Sequence, residues 1–269
     1  MRIGSRDFAT TGHTYIMGIL NVTPDSFSDG GKFNQIDAAL KHAEEMIGDG
    51  ADVIDIGGES TRPGYTKIFD EEEIDRVVPV IEAVKKEFGI PISVDTYKSR
   101  VAEAAAQAGA DLINDIWGLK YDPHMAEVIA KSGLACCLMH NRDNTEYRNF
   151  MEDVKQDLRE TIVLAKAAKI ADDKIILDPG VGFAKSYENN LEVIRRLKEF
   201  NELKYPVLLG TSRKSVIGLT LDLPAAERVE GTIVTTVMAV EAGCMFVRVH
   251  DVKENHRAIQ MAEAILDRK

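Results

Sequence analysis

No stretch of this 269-residue chain is apolar for anything near the roughly 20 residues that a membrane-spanning helix needs. The opening MRIGSRDFATTG also lacks the apolar core of a secretion signal, so a cytoplasmic protein is expected. Cysteine is scarce. Cys136, Cys137 and Cys244 are odd in number, sit in apolar segments and show no CxxC spacing, which argues against a disulfide framework or zinc site and for three reduced core residues. Two further patterns are missing: a Pro/Ser-rich linker that would divide the chain, and the GxGxxG turn that opens a dinucleotide-binding sheet. Positive charge is short as well, with 33 Lys and Arg against 44 Asp and Glu, a formal net charge of −11. A surface of that sign repels phosphate backbones and anionic lipid at long range. Nucleic acid and membranes are therefore excluded as general partners, and an anionic substrate must meet a local cluster of cations.

What is present is a regular alternation. Short apolar runs rich in Val and Ile, at 14–21, 52–57, 91–95, 111–116, 134–140, 174–178, 206–210 and 244–250, read as strands apolar on both faces. Longer amphipathic patterns lie between them, among them 36–50, 71–89, 99–110 and 227–243, and Gly50, Gly89, Gly109, Gly133 and Gly243 mark their C-terminal ends. Eight β-then-α units without a break in composition match a single-domain α/β fold, the closed (β/α)8 or TIM barrel, over residues 1–269. An open doubly wound sheet is the alternative; it normally has fewer strands and a Gly-rich first turn. Residues 1–13 precede the first strand and are expected to form a hairpin plugging the N-terminal mouth.

Barrel enzymes place their chemistry at the C-terminal ends of the strands. There the chain offers Asn21; Glu59, Ser60, Thr61 and Arg62; Asp95; Asn114 and Asp115; His140; Asp178; Ser212, Arg213 and Lys214; and Arg248 with His250. Singly, each could be a cap or turn residue. Asn21, Asp95, Asn114 and Asp178 nevertheless end apolar strands that point into a closed interior, where an unpaired polar group costs roughly 1–3 kcal/mol. Asp95, Asn114 and Asp178 suit a flat heterocycle with amino, ring N–H and carbonyl edges. Arg62, Lys214, Arg248 and His250 suit a phosphate or carboxylate.

The segments ILNVTPDSFSDGG (19–31), ADVIDIGGESTRPG (51–64), ISVDTYKS (92–99), INDIWG (113–118), DPGVGFAKS (178–186), GTSRKSVIG (210–218) and VRVHDV (247–252) resemble, in order and across nearly the whole chain, the motif series of the dihydropteroate synthase family of pterin-binding enzymes. The resemblance implies a barrel transferase that joins 4-aminobenzoate to a dihydropterin methyl diphosphate, releases pyrophosphate in folate biosynthesis, and is a sulfonamide target. It further implies that Asp95, Asn114 and Asp178 grip the pterin edge, that Lys214 reaches the O4/N5 side, and that Arg248 lies over the ring and touches phosphate. Asn21 and His250 would hold the diphosphate, Asn21 through Mg²⁺, with Thr61 and Val249 beside it. Thr61, Arg62, Pro63, Phe183 and Ser215 would line the aminobenzoate side, to which Phe27 and Asp29 of the first loop contribute.

The chemistry agrees with that assignment. A pterin CH2–O–diphosphate behaves as a benzylic ester and can ionise once the leaving anion is neutralised, and an uncharged aniline needs no strong base. Mg²⁺ keeps most of its waters and borrows phosphate oxygens, so one amide ligand suffices and no carboxylate cluster is required. Loops 22–33 and 59–67, rich in Gly, Pro, Ser and Asp, are long enough to close over a barrel mouth. A homodimer is implied, with the largely apolar helix at 227–243 as its candidate surface. Two alternatives remain open at this point, a pterin-binding methyltransferase and a non-catalytic pterin-binding paralogue. Against the first stand the SRK element at Ser212–Lys214 and the TRPG loop at Thr61–Gly64; against the second stands the retention of Asn21, Arg62, Lys214, Arg248 and His250. One stretch departs from the family pattern: after LMH (138–140) the chain runs NRDNTEYRNFMEDV, far more polar than expected. Trp117 is expected to pack and not to serve as a stacking platform.

Overall fold

The computed structural model describes residues 1–23, 32–60 and 67–268. The chain opens with a hairpin in which β1 (Arg2–Ile3) pairs antiparallel with β2 (Arg6–Asp7). Eight parallel strands follow: β3 (Tyr15–Asn21), β4 (Val53–Gly57), β5 (Ile92–Asp95), β6 (Leu112–Asp115), β7 (Ala135–Met139), β8 (Ile175–Asp178), β9 (Leu208–Leu209) and β10 (Phe246–Val249). They run in the spatial order β8-β7-β6-β5-β4-β3-β10-β9, and a bridge from Leu177 to Val207 brings the two ends of the series together into a barrel.

Outside the barrel lie α1 (Lys32–Gly48), α2 (Asp70–Phe88), α3 (Ser99–Ala108), α4 (Met125–Ser132), α5 (Phe150–Ala167), α6 (Tyr187–Arg195), α7 (Ser215–Leu221), α8 (Val229–Ala242) and α9 (Val252–Ile265). Each of the eight barrel strands is followed by at least one helix, and β9 by both α7 and α8. The strand expected over 206–210 shortens to Leu208–Leu209; Pro206 has no N–H to donate to a ladder, and Val207 joins Leu177 only through an isolated bridge. Gly109 shows why glycine ends these helices: at φ 108° its N–H caps carbonyls of α3 in a conformation that a side chain would strain.

Strand residues alternate between two apolar layers. Ile16, Leu20, Ile54, Ile56, Val94, Leu138 and Val249 face outward and pack against the helices. Met17, Val53, Leu112, Cys137, Ile176, Leu208 and Phe246 face inward and close the N-terminal end of the barrel together with Ile3 and Phe8 of the opening hairpin segment. Cys136, Cys137 and Cys244 are buried free thiols whose pKa values burial pushes up, which leaves them inert. Further along the strands the inward positions turn polar. Asp55, Asp95, Asn114, Asp178 and Arg248 occupy them, all buried or half-buried, and define the working end of the barrel.

Candidate active site

Arg248 organises the barrel interior. From β10 its Nε donates to Asp55 Oδ2 at 2.6 Å and an Nη donates to Asp95 Oδ2 at 2.7 Å, so one guanidinium spans carboxylates of β4 and β5. Asn114, the register neighbour of Asp95, donates Nδ2 to the same Asp55 oxygen at 3.3 Å. Asp178 closes β8 and accepts from the Gly180 N–H at 2.7 Å. Lys214, at the start of α7, donates to the Val181 carbonyl at 2.6 Å and lies 4.8 Å from the centre of the Phe183 ring. Gly210 sits among these groups: a Cβ there would lie 3.6 Å from Asp178 Oδ2, 3.8 Å from Lys214 Nζ and 3.9 Å from Arg248 Cβ. Those are ordinary contacts, so Gly210→Ala is expected to fold with an unchanged melting temperature. The added methyl occupies space among three polar side chains, and KM for the substrate they hold is expected to rise about tenfold, a value read from initial-rate kinetics.

Burial governs the electrostatics. It raises the Asp95 pKa to about 7 against the pull of Arg248, and raises that of Asp178 against Lys214. It also lowers Lys214 to about 8, although Asp178 works in the opposite direction. Among the described residues, Asp55 Oδ1, Ser93 Oγ and Asp95 Oδ1 are buried without a hydrogen-bond partner. Asp55 and Ser93 are register partners, so these orphans share one region of the interior. The unpaired carboxylate oxygens, with Asn114 and Asp178 at the ends of β6 and β8, are complementary to a ligand edge that carries several N–H groups, and the Ser93 hydroxyl can donate or accept.

The anion side is built from neighbouring strand ends. Ser212 Oγ lies 3.0 Å from His250 Nδ1 and accepts from the His250 backbone N–H at 3.1 Å. Between Ser212 and Lys214, Arg213 adopts φ 58° and turns its guanidinium onto Asp251. That left-handed residue sends the side chains on either side of it to different partners, which is how three consecutive polar residues come to serve separate ends. Asn21 ends β3 beside Gly57, where a Cβ would lie 3.6 Å from its Oδ1, so glycine leaves the amide room for a ligand.

The other residues chosen from the sequence take varied places. Val249 turns its side chain into the outer apolar layer, because it alternates with inward-facing Arg248 along β10. Glu59 is held in a buried ion cluster with Lys98 and Glu73 and accepts from the Ile68 N–H; it does not face the barrel interior. Asp115 accepts from the N–H groups of Trp117 and Leu119 and caps its own turn. Trp117 packs with Phe183 against Tyr97, Ile116 and Met139. Both ring nitrogens of His140 are taken up, by Asp157 and Lys185. Ser215 is exposed at the start of α7. Phe27, Asp29, Thr61, Arg62 and Pro63 lie outside the described residues. Asp55, which holds Arg248, escaped the sequence search because it sits inside its strand and not at the end. Its inward parity with Val53 and Gly57 was the available signal.

Fold and site together define a (β/α)8-barrel enzyme whose rim combines buried carboxylates with cations. The profile of the pterin binding enzyme family matches residues 17–250. The dihydropteroate synthase of Clostridium beijerinckii is 62% identical over 269 residues, covering 100% of both chains. A crystal structure of dihydropteroate synthase from Clostridium difficile in the presence of pteroic acid superposes with a TM-score of 0.93 at 52% identity, covering 100% of both chains. That of Yersinia pestis dihydropteroate synthase with a sulfonamide drug also gives 0.93, at 42% identity and 99% coverage of each. The chain belongs to the dihydropteroate synthase family of pterin binding enzymes.

Proposed function

We propose that the chain condenses (7,8-dihydropterin-6-yl)methyl diphosphate with 4-aminobenzoate to give 7,8-dihydropteroate and pyrophosphate, a transferase step of folate biosynthesis. The observation that carries this reading is the group of buried polar side chains Asp95, Asn114 and Asp178 with Lys214, which matches the donor and acceptor edge of a pterin. In the reaction the C–O bond to the diphosphate breaks, the C–N bond forms, and the arylamine loses one proton to solvent.

The residues divide the work of that sequence. Asp95 and Asp178 accept from pterin N–H groups, Asn114 supplies both a donor and an acceptor, and Lys214 donates to the O4/N5 side. Arg248 braces Asp95 from below and presents positive charge toward the leaving group, while Ser212 orients His250 for the diphosphate. Thr61, Arg62, Pro63, Phe27, Phe183 and Ser215 would line the aminobenzoate side, with Asp29 contributing from the first loop. Asn21 would hold Mg²⁺, which when bound neutralises the departing diphosphate. Among the described residues no group of three or more His, Cys, Asp or Glu could cage a metal, so the ion would draw on one amide, substrate oxygens and water, a donor set that Mg²⁺ accepts.

Sulfonamides resemble 4-aminobenzoate and are expected to compete for its place. Exposed apolar side chains on α7, α8 and α9, among them Leu219, Val234 and Met261, support a homodimer through these helices. No helix among the described residues is long and apolar enough to cross a membrane, which accords with a cytoplasmic enzyme. The test of the activity is incubation of the purified chain with both substrates and Mg²⁺. Dihydropteroate, detected by mass spectrometry in amounts equal to pyrophosphate, is expected; pterin binding without that product would contradict the reading.

A further inference from the structure

The turn between β8 and α6, residues 179–186, is tied down along its length. Gly180 donates its N–H to Asp178, Val181 accepts from Lys214, Gly182 donates to Asn190 Oδ1 at 2.6 Å, and the Ala184 carbonyl accepts from the Tyr147 hydroxyl at 2.8 Å. Ala184 stands at φ 47°, a left-handed conformation costing a non-glycine residue roughly 1–2 kcal/mol, and it persists because its surroundings enforce it.

At the centre of these contacts is Lys185, a residue with no part in the mechanism above. Its Nζ lies 2.8 Å from His140 Nδ1, 2.9 Å from the Gly180 carbonyl and 3.0 Å from the Phe183 carbonyl, so all three ammonium hydrogens are engaged. Because the ammonium donates to Nδ1, the imidazole proton resides on Nε2, which donates to Asp157 at 2.9 Å. Arg142 donates to the same carboxylate and covers the Tyr147 ring at 4.5 Å. The polar stretch after β7, which departs from the family pattern, thereby gains a structural purpose, since its Arg142 and Tyr147 brace the β8–α6 turn from outside.

We propose that Lys185 is a positioning residue for the transfer reaction: by fixing the Gly180 and Phe183 carbonyls it sets where the turn offers Val181 to Lys214 and where the Phe183 ring stands. This rests on the reading of the activity given above. Burial lowers the Lys185 pKa to about 7, opposed by Asp178 and Asp157 and reinforced by Lys214 and Arg142. Burial likewise lowers neighbouring His140 to about 4, so that ring stays neutral at working pH. Above about pH 7, therefore, a neutral amine with two hydrogens faces three acceptors.

The test compares Lys185→Met with Lys155→Met, a buried lysine that pairs with Glu152 and Glu202 away from the barrel rim. Lys185→Met is expected to lose at least tenfold in kcat, to raise KM for 4-aminobenzoate, and to lack the early fall in kcat expected of wild type as pH rises past about 7, keeping only the later fall past about 8 that Lys214 sets. Lys155→Met is expected to lower the melting temperature and leave kcat unchanged. Where the wild type turns over, an unaltered kcat and an unaltered pH profile in Lys185→Met would overturn the positioning role alone. If Lys185→Met does not fold, Tyr147→Phe decides: a rise of about threefold in KM for 4-aminobenzoate, the scale of one ordinary hydrogen bond, supports the brace, and an unchanged KM overturns it. Wild-type protein that makes no dihydropteroate would overturn the activity itself, and this proposal with it.

Discussion

Arg248→Ala is expected to lower kcat/KM by at least a hundredfold and, unlike most rim substitutions, to destabilise the fold by roughly 3–5 kcal/mol, the scale seen when one partner of a buried ion pair is removed. The sequence alone presents Arg248 as a substrate-facing cation at a strand end, which would leave stability untouched. The structure places its guanidinium on Asp55 and Asp95 inside the barrel, at 2.6 and 2.7 Å. Truncation would strand two carboxylates that are each buried and that each already carry one oxygen without a partner. Initial-rate kinetics and urea unfolding measure the two effects separately. Arg248→Lys should recover little of either, because an ammonium cannot span both carboxylates as the planar guanidinium does. A fully stable and active Arg248→Ala enzyme would mean that Asp55 and Asp95 do not depend on this arginine.

Lys214→Met is expected to do the reverse to stability. Burial holds the Lys214 ammonium at a pKa of about 8, well below the ordinary lysine value. The native state therefore releases that proton earlier than the unfolded chain does. Between about pH 8 and the ordinary lysine range the unfolded state binds more protons, so this residue's contribution makes stability rise with pH across that window. Activity follows the opposite course, since the charged form is the one that donates to the pterin and offsets the leaving anion; turnover should fall as pH rises past about 8. Replacing the lysine with methionine removes a costly buried charge, and Asp178, which loses that cation, still accepts from the Gly180 N–H. The variant is expected to lose at least about tenfold in kcat/KM while melting no lower than wild type at neutral pH. A thermal shift combined with a pH–rate profile is the measurement, and a large loss of stability would contradict the burial argument.

Much of the barrel is legible in the sequence, because its signal is local. A strand apolar on both faces followed by an amphipathic helix and a capping glycine recurs along the chain, and the polar strand ends Asp95, Asn114 and Asp178 stand where a barrel places its chemistry. Partnership is what the sequence does not carry. Asp55 and Arg248 are 193 residues apart along the chain, and nothing local announces that they touch. Glu59 and Asp95 look alike as acids after apolar runs, yet Glu59 is consumed by Lys98 while Asp95 faces the interior. His140 resembles a ligand by position, and only the structure shows its ring fixed between Asp157 and Lys185. Lys185 itself appears in the sequence only as one member of the segment 178–186, with nothing local to mark its role. Only its three acceptors, brought together by the fold, reveal it.

The most direct measurement of the central claim, that the buried polar set of the barrel forms a pterin site, is a fluorescence titration of the dihydropterin methyl diphosphate without 4-aminobenzoate, comparing wild type with Asp178→Asn. Asparagine preserves an acceptor for the Gly180 N–H, so the turn stays in place, but removes the carboxylate that takes two pterin donors. Wild type is expected to saturate, and Asp178→Asn to bind at least tenfold more weakly with an unchanged melting temperature. Equal affinity in the two proteins would show that the pterin is not held at the end of β8.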